Sequence, residues 1–156
     1  MLPRGDVDES PHAGSDSGAT ERPECATHPL RSEKDLLALR HAVRAATVRA
    51  GFGLVDQTRV VTAASELARN AYTHGRGGDC QVEIVHGAGR TGVRLTVVDH
   101  GPGIAELDRA FTDGYTTGPG LGHGLGGARR LMDEFDVDTA PGLGTTIVAV
   151  RWSTRL

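Results

Sequence analysis

The order of apolar and polar positions along the chain predicts helices first and strands later. Leu36, Leu39, Val43, Ala46 and Ala50 recur at three- and four-residue intervals, which is one face of an amphipathic helix. Ser32 followed by Asp35 predicts a capped start for it, and Gly51 a stop. A second helix follows at once, with Asp56 as its expected N-cap, Val55 and Val60 in staple positions, and Val60, Ala64, Leu67 and Ala71 as its buried stripe. It should end near His74 and Gly75. The apolar period then falls to two: Val82 and Ile84 alternate with polar neighbours between Gln81 and His86, and Val93, Leu95 and Val97 do so between Gly92 and Val98. The link from His86 to Thr91 is so short that these strands should pair antiparallel. A third helix, about Leu125 to Glu134, precedes a last strand, Thr145 to Trp152. The expected fold class is α/β (α+β): a two-layer sandwich in which helices cover one face of an open, mixed sheet.

Composition changes the picture at the N-terminus. The first 26 residues hold Asp6, Asp8, Glu9, Asp16, Glu21 and Glu24 against Arg4 and Arg22, with almost no large apolar side chain. Such a segment cannot offset its ordering entropy, so residues 1–26 are expected to be a disordered acidic tail and residues 27–156 the folded domain. A net charge of −3 over 156 residues argues against nucleic acid as the main ligand. No apolar run approaches the roughly 18 residues of a spanning helix, and the N-terminus has no signal- or transit-peptide character; no membrane role and a cytoplasmic location are expected. Cys25 and Cys80 lack metal-ligand spacing and should be free thiols. With aromatics at 4%, the core must be built from Val, Leu, Ile and Ala around Phe52, Phe111, Phe135 and Trp152.

Four local patterns carry chemistry. Glu66 and Asn70, four apart on the second helix, share a stripe at the margin of its apolar face. Asp99-His100-Gly101-Pro102-Gly103-Ile104 follows an apolar strand and holds a carboxylate at a strand end, where glycines permit close approach of a ligand. The run Gly118-Pro119-Gly120-Leu121-Gly122-His123-Gly124-Leu125-Gly126-Gly127 leads into a helix N-terminus, which favours phosphate. It is no Rossmann turn, because the preceding segment is polar, and no Walker A motif, because Lys34 is the sole lysine. Gly142-Leu143-Gly144-Thr145-Thr146 opens the last strand. Taken singly, each is an ordinary helix surface, turn or loop.

In this order the four resemble the boxes of the Bergerat (GHKL) ATP-binding fold, shared by gyrase-type ATPases, Hsp90, MutL, histidine kinases and anti-sigma-factor kinases. Residues 51–75 and 120–137 are most similar to the anti-sigma regulatory factor serine/threonine kinases, in particular the switch-kinase branch of the stressosome. The resemblance implies ATP and Mg²⁺ as cofactors. It implies that Asp99 accepts a hydrogen bond from the adenine amino group, that Gly101, Gly103 and Ile104 shape the base pocket, and that Thr145 completes it. Asn70 would be the metal ligand, Gly120, Leu121, Gly122, His123, Gly124 and Leu125 would close over the phosphates, and Glu66 would be the catalytic residue that orients an incoming hydroxyl. The lid between Phe111 and Ala128 has no Lys or Arg, so the γ-phosphate charge would be met by Mg²⁺, backbone amides or an arginine from elsewhere, for which Arg69 is one candidate. The implied function is an ATP-dependent serine/threonine protein kinase in a partner-switching pathway. Its implied partners are a STAS-domain antagonist as substrate, with a PP2C-type phosphatase or a sigma factor alongside, and a homodimer is compatible with it. The alternative is an ATP-binding module or anti-sigma factor that sequesters a partner with little phosphoryl transfer.

Overall fold

The computed structural model describes residues 24–105 and 124–154. They form strand β1 (Cys25–Leu30), helices α1 (Glu33–Arg49) and α2 (Leu54–Thr73), strands β2 (Gly78–Gly87) and β3 (Arg90–Asp99), helix α3 (Gly124–Leu131), and strands β4 (Glu134–Thr139) and β5 (Thr145–Trp152).

Helix α1 starts as expected. Ser32 is extended, and its Oγ accepts the Asp35 amide at 3.1 Å, while the Asp35 carboxylate accepts the Arg31 amide at 2.9 Å. Leu36, Leu39, Val43 and Ala46 are buried, and Gly51, at φ 81°, turns the chain. Helix α2 begins earlier than its sequence suggests, with Gly53 rather than Asp56 as N-cap. The Asp56 carboxylate is instead held by Arg59 and by Arg151, at 3.1 and 3.0 Å, and Val55 is 65% exposed, so no staple forms. Alanines 63, 64, 68 and 71 are all buried, and their small size lets α2 lie close to its neighbours. Its end follows from backbone geometry: Arg76 and Gly77 both have positive φ, and the Gly77 amide bonds the Ala71 carbonyl at 2.9 Å.

The five strands lie in the order β1-β2-β3-β5-β4, and all four pairings are antiparallel. This corrects the expected mixed sheet. Between β1 and β2 the chain crosses the molecule twice, along α1 and back along α2, and so re-enters the sheet at the end it left. Strands β3 and β4 do run the same way, but β5 inserts between them and pairs antiparallel with both. The β2–β3 link is only Ala88-Gly89, both at positive φ, the geometry of a tight hairpin turn.

Two strands went unread. Strand β1 begins at Cys25, two residues inside the segment expected to be tail, and β4 occupies Glu134–Thr139, so the third helix stops at Leu131 rather than near Glu134. The core lies between the sheet and the helices, with Leu30, Leu39, Leu67, Leu95, Val43, Val60 and Val93 fully enclosed; each such side chain contributes about 1.5–3 kcal/mol by leaving water. Of the expected rings, Phe52 is buried, Phe135 packs partly buried against the core, Trp152 is half-buried, and Phe111 lies outside the described residues. Both cysteines are free: Cys25 is exposed, and burial pushes the Cys80 thiol up to about 12.

Candidate functional site

Strand register decides what meets at one end of the sheet. Asp99 pairs with Gly78 on one side and Thr145 on the other, and Thr145 pairs with Thr139. These residues form one rung across β2, β3, β5 and β4. The next two rungs inward, Cys80-Val97-Ile147-Val137 and Val82-Leu95-Ala149-Phe135, are apolar and face the helices. Alternation therefore puts Asp99, Thr145 and Thr139 on the helix-covered face, as the polar end of the core. Asp99 and Thr145 are 8% and 6% exposed.

Glycines bring the surrounding backbone onto this rung. The turn after α2 presses on Asp99 so closely that a Cβ on Gly75 would lie 2.4 Å from its Cγ, and one on Gly101 would lie 2.6 Å from the Gly75 Cα. On the other side, Gly144 has φ +79° and its missing Cβ leaves room for the Asp99 carbonyl. The Asp99 Oδ1 accepts the Gly101 amide at 3.0 Å, which fixes the carboxylate over the turn. Gly103, also at positive φ, packs on the Ala140 carbonyl, and the Gly142 amide donates to the Pro102 carbonyl at 2.7 Å. The Ile104 amide donates to the Thr139 hydroxyl at 2.9 Å. The turn after β3 and the β4–β5 turn are thus stitched together beside the carboxylate.

Helix α2 supplies the other groups. The Asn70 carbonyl accepts the amides of His74 and Gly75, so Asn70 stands one turn back from the glycine that touches Asp99, about 7 Å along the axis, and Glu66 stands about 6 Å further. Both side chains are half-buried. Helix α3 packs against α2, with Leu125 and Ala128 buried and its glycine-rich start at Gly124, at φ 51°. Its first turn points amide groups toward the same end of the molecule. Arg69 forms an exposed ion pair with Glu33 at 3.5 Å, which ties α2 to the start of α1. Gly120, Leu121, Gly122 and His123 lie outside the described residues.

Asp99, Gly101, Gly103, Ile104 and Thr145 thus converge, with Asn70 and Glu66 on the adjoining helix. The sequence reading did not include Thr139 and Gly75 in the site. Thr139 sits in no motif, and Gly75 reads as a helix stop; only register and close packing bring them in.

The cradle offers a carboxylate and a hydroxyl side by side, held in place by turns whose glycines let backbone pack where a Cβ would clash. Among the described residues no three His, Cys, Asp or Glu side chains converge to hold a metal alone. The one neutral amide oxygen that Asn70 offers fits an ion such as Mg²⁺ that arrives with phosphates and keeps several waters.

Comparison with known proteins gives the class to which this helix-backed antiparallel sheet belongs. The chain belongs to the family described as histidine kinase-, DNA gyrase B-, and HSP90-like ATPase, whose family model matches residues 55–155. Within that family it is 42% identical over 123 residues to Serine/threonine-protein kinase RsbT of Bacillus subtilis (strain 168), covering 79% of this chain and 92% of that protein. It is 34% identical over 105 residues to the Anti-sigma F factor of Halalkalibacterium halodurans, covering 64% and 72%. Among solved structures, the RsbU and RsbW domains of Rv1364c from Mycobacterium tuberculosis share its fold, with a TM-score of 0.56 at 20% identity. The match covers 83% of this chain and 32% of that longer one.

Proposed function

We propose that this protein is a cytoplasmic serine/threonine kinase of a partner-switching pathway, which transfers the γ-phosphate of ATP to a hydroxyl on a STAS-domain antagonist. Kinase activity rests on the family and on the likeness to RsbT over nearly that protein's whole length. The single observation that carries the site assignment is the Asp99–Thr145 rung, with Glu66 and Asn70 on the helix whose end packs against it.

In this reading Asp99 accepts from the adenine 6-amino group and Thr145 lies beside it. Gly103 and Ile104 border the base, and the amides at the start of α3 face the phosphates. Asn70 would hold Mg²⁺ through its neutral amide oxygen, and the bound ion would supply charge neutralisation for the phosphates. The substrate hydroxyl oxygen bonds to the γ-phosphorus as the bond to the bridging oxygen breaks, and ADP leaves with that electron pair. Glu66 takes the hydroxyl proton. Phosphoryl transfer is loose, so positioning and charge matter more here than the strength of the base.

The test is a radiolabel assay with Mg-ATP and the candidate STAS protein, comparing wild type with Glu66→Gln. Label on the partner with wild type, and none with the variant, is the expected result. ATP-dependent binding of the partner without label would establish the sequestering module instead.

A further inference from the structure

Thr139 has no part in the scheme above, yet its hydroxyl is the meeting point of the rung. Its Oγ1 lies 2.9 Å from the Ile104 amide nitrogen, 3.1 Å from the Gly144 carbonyl oxygen and 2.9 Å from the Thr145 hydroxyl oxygen. A hydroxyl owns one proton and two lone pairs. The Ile104 amide can only donate, so it takes one lone pair. The Gly144 carbonyl can only accept, so it takes the proton. The contact with Thr145 then uses the remaining lone pair, and Thr145 must be its donor.

The consequence lies on Thr145. Its proton is committed inside the protein, and toward a ligand it presents lone pairs only. Asp99, its direct cross-strand neighbour, is also an acceptor. Two acceptors side by side attract an amino group, or a water donating both its protons, and repel a carbonyl oxygen.

We infer that Thr139 is a positioning residue which fixes the Thr145 hydroxyl as an acceptor, so that the rung selects a 6-amino purine over a 6-oxo purine. The inference rests on reading this rung as the base site. Without the Thr139 hydroxyl, Thr145 is free to turn its proton outward and satisfy a 6-oxo group, and the Ile104 amide loses its partner.

The experiment measures calorimetric affinities for Mg-ATP and Mg-ITP, which differ in the 6-substituent and the proton on N1, with wild type, Thr139→Val and Thr139→Ser. Wild type should prefer ATP. Thr139→Val keeps the shape without the hydroxyl and should lower the ATP:ITP preference about tenfold, on the scale of one buried hydrogen bond, while Thr139→Ser restores it. If Thr139→Val does not fold, as judged by thermal melting, Thr139→Ala supplies the same comparison without a second buried methyl. Equal weakening of both nucleotides, with the preference unchanged, reduces Thr139 to a structural strut and overturns the inference while leaving the base site standing. Wild type that binds neither nucleotide removes the base site itself, and the inference with it.

Discussion

At the end of the sheet that carries Trp152, glycine makes room for a side chain; at the end that carries Asp99, it makes room for backbone around a carboxylate. A Cβ on Gly92 would lie 2.8 Å from the Trp152 ring, and one on Gly87 would lie 3.2 Å from it. The indole N–H donates to Glu134 at 2.6 Å, the Trp152 amide to Asp133 at 2.7 Å, and the Arg90 guanidinium lies 5.2 Å over the ring. Close by, Arg151 joins β5 to Asp56 of α2 and to the Leu131 carbonyl that ends α3. There most of the polar groups find their partners within the chain, the buried Arg151 Nε being the exception. At the opposite end, acceptors stand in a row beside approaching backbone, with valence to spare for a ligand. Close glycine packing therefore marks a tight fit at both ends, and the two differ in what the missing Cβ admits: an aromatic side chain at one, backbone drawn around a carboxylate at the other.

The sharpest way to break this contrast is Glu66→Gln. It should slow phosphoryl transfer to the partner by about 10²–10⁴, the range of a general base, with ATP affinity nearly unchanged in parallel calorimetry. Next in size is Asp99→Asn. The Gly101 amide still finds an oxygen, so the fold should persist, but an acceptor facing the base becomes in part a donor, and ATP affinity should fall about 10- to 100-fold by titration.

A matched pair of alanines tests the two ends directly. Gly75→Ala drives a methyl into the Asp99 carboxylate and should weaken ATP about tenfold as well as lowering the melting temperature. Gly92→Ala meets Trp152 and the Arg151 carbonyl; it should lower the melting temperature by a similar amount and leave ATP affinity as it was. Loss of ATP binding in both would erase the distinction.

Cys80 locates where the polar end stops, since it lies on the next rung inward. Its thiol is raised from an ordinary 9.0 to about 12, so the folded chain keeps a proton that the unfolded chain releases above pH 9. Stability should therefore fall as pH rises between those values, by on the order of 1 kcal/mol at pH 10, and this part of the alkaline loss should vanish in Cys80→Ala when melts are compared across that range. The smallest effect is expected from Arg90→Ala, which removes an exposed cation–π contact. It should cost about 0.5–1 kcal/mol in denaturant melts and leave nucleotide binding untouched.

Much of this was legible from one dimension. Periodicity gave the strand Thr145–Trp152 to the residue, and the Ser32 cap of α1 is a local interaction that its own four residues specify. What was misread is instructive. Strand β4 has period two, with Phe135 and Val137 inward, but Leu131, Met132 and Phe135 also fit helical spacing, so the pattern reads as more helix. Strand β1 is a solvated edge with one fully buried residue, Leu30, and too little apolar content to register. Asp56 has the chemistry of an N-cap, but Arg151, 95 residues away, holds its carboxylate.

Local chemistry is written in the chain: which residues cap, turn, alternate or carry a charge depends on neighbours within about one helical turn, and that sufficed for the bodies of the helices and three of the five described strands. Pairing direction, and the company each motif keeps, depend on how many times the chain crosses the molecule before it rejoins the sheet. That long-range path made the sheet antiparallel, and register then placed Thr139 next to Thr145 and Asp99. Close packing of Gly75 on Asp99 joined the helix carrying Asn70 and Glu66 to the same rung. A single hydroxyl of unremarkable sequence context can hold the centre of the site, because hydrogen-bond valence is counted among spatial neighbours rather than along the chain.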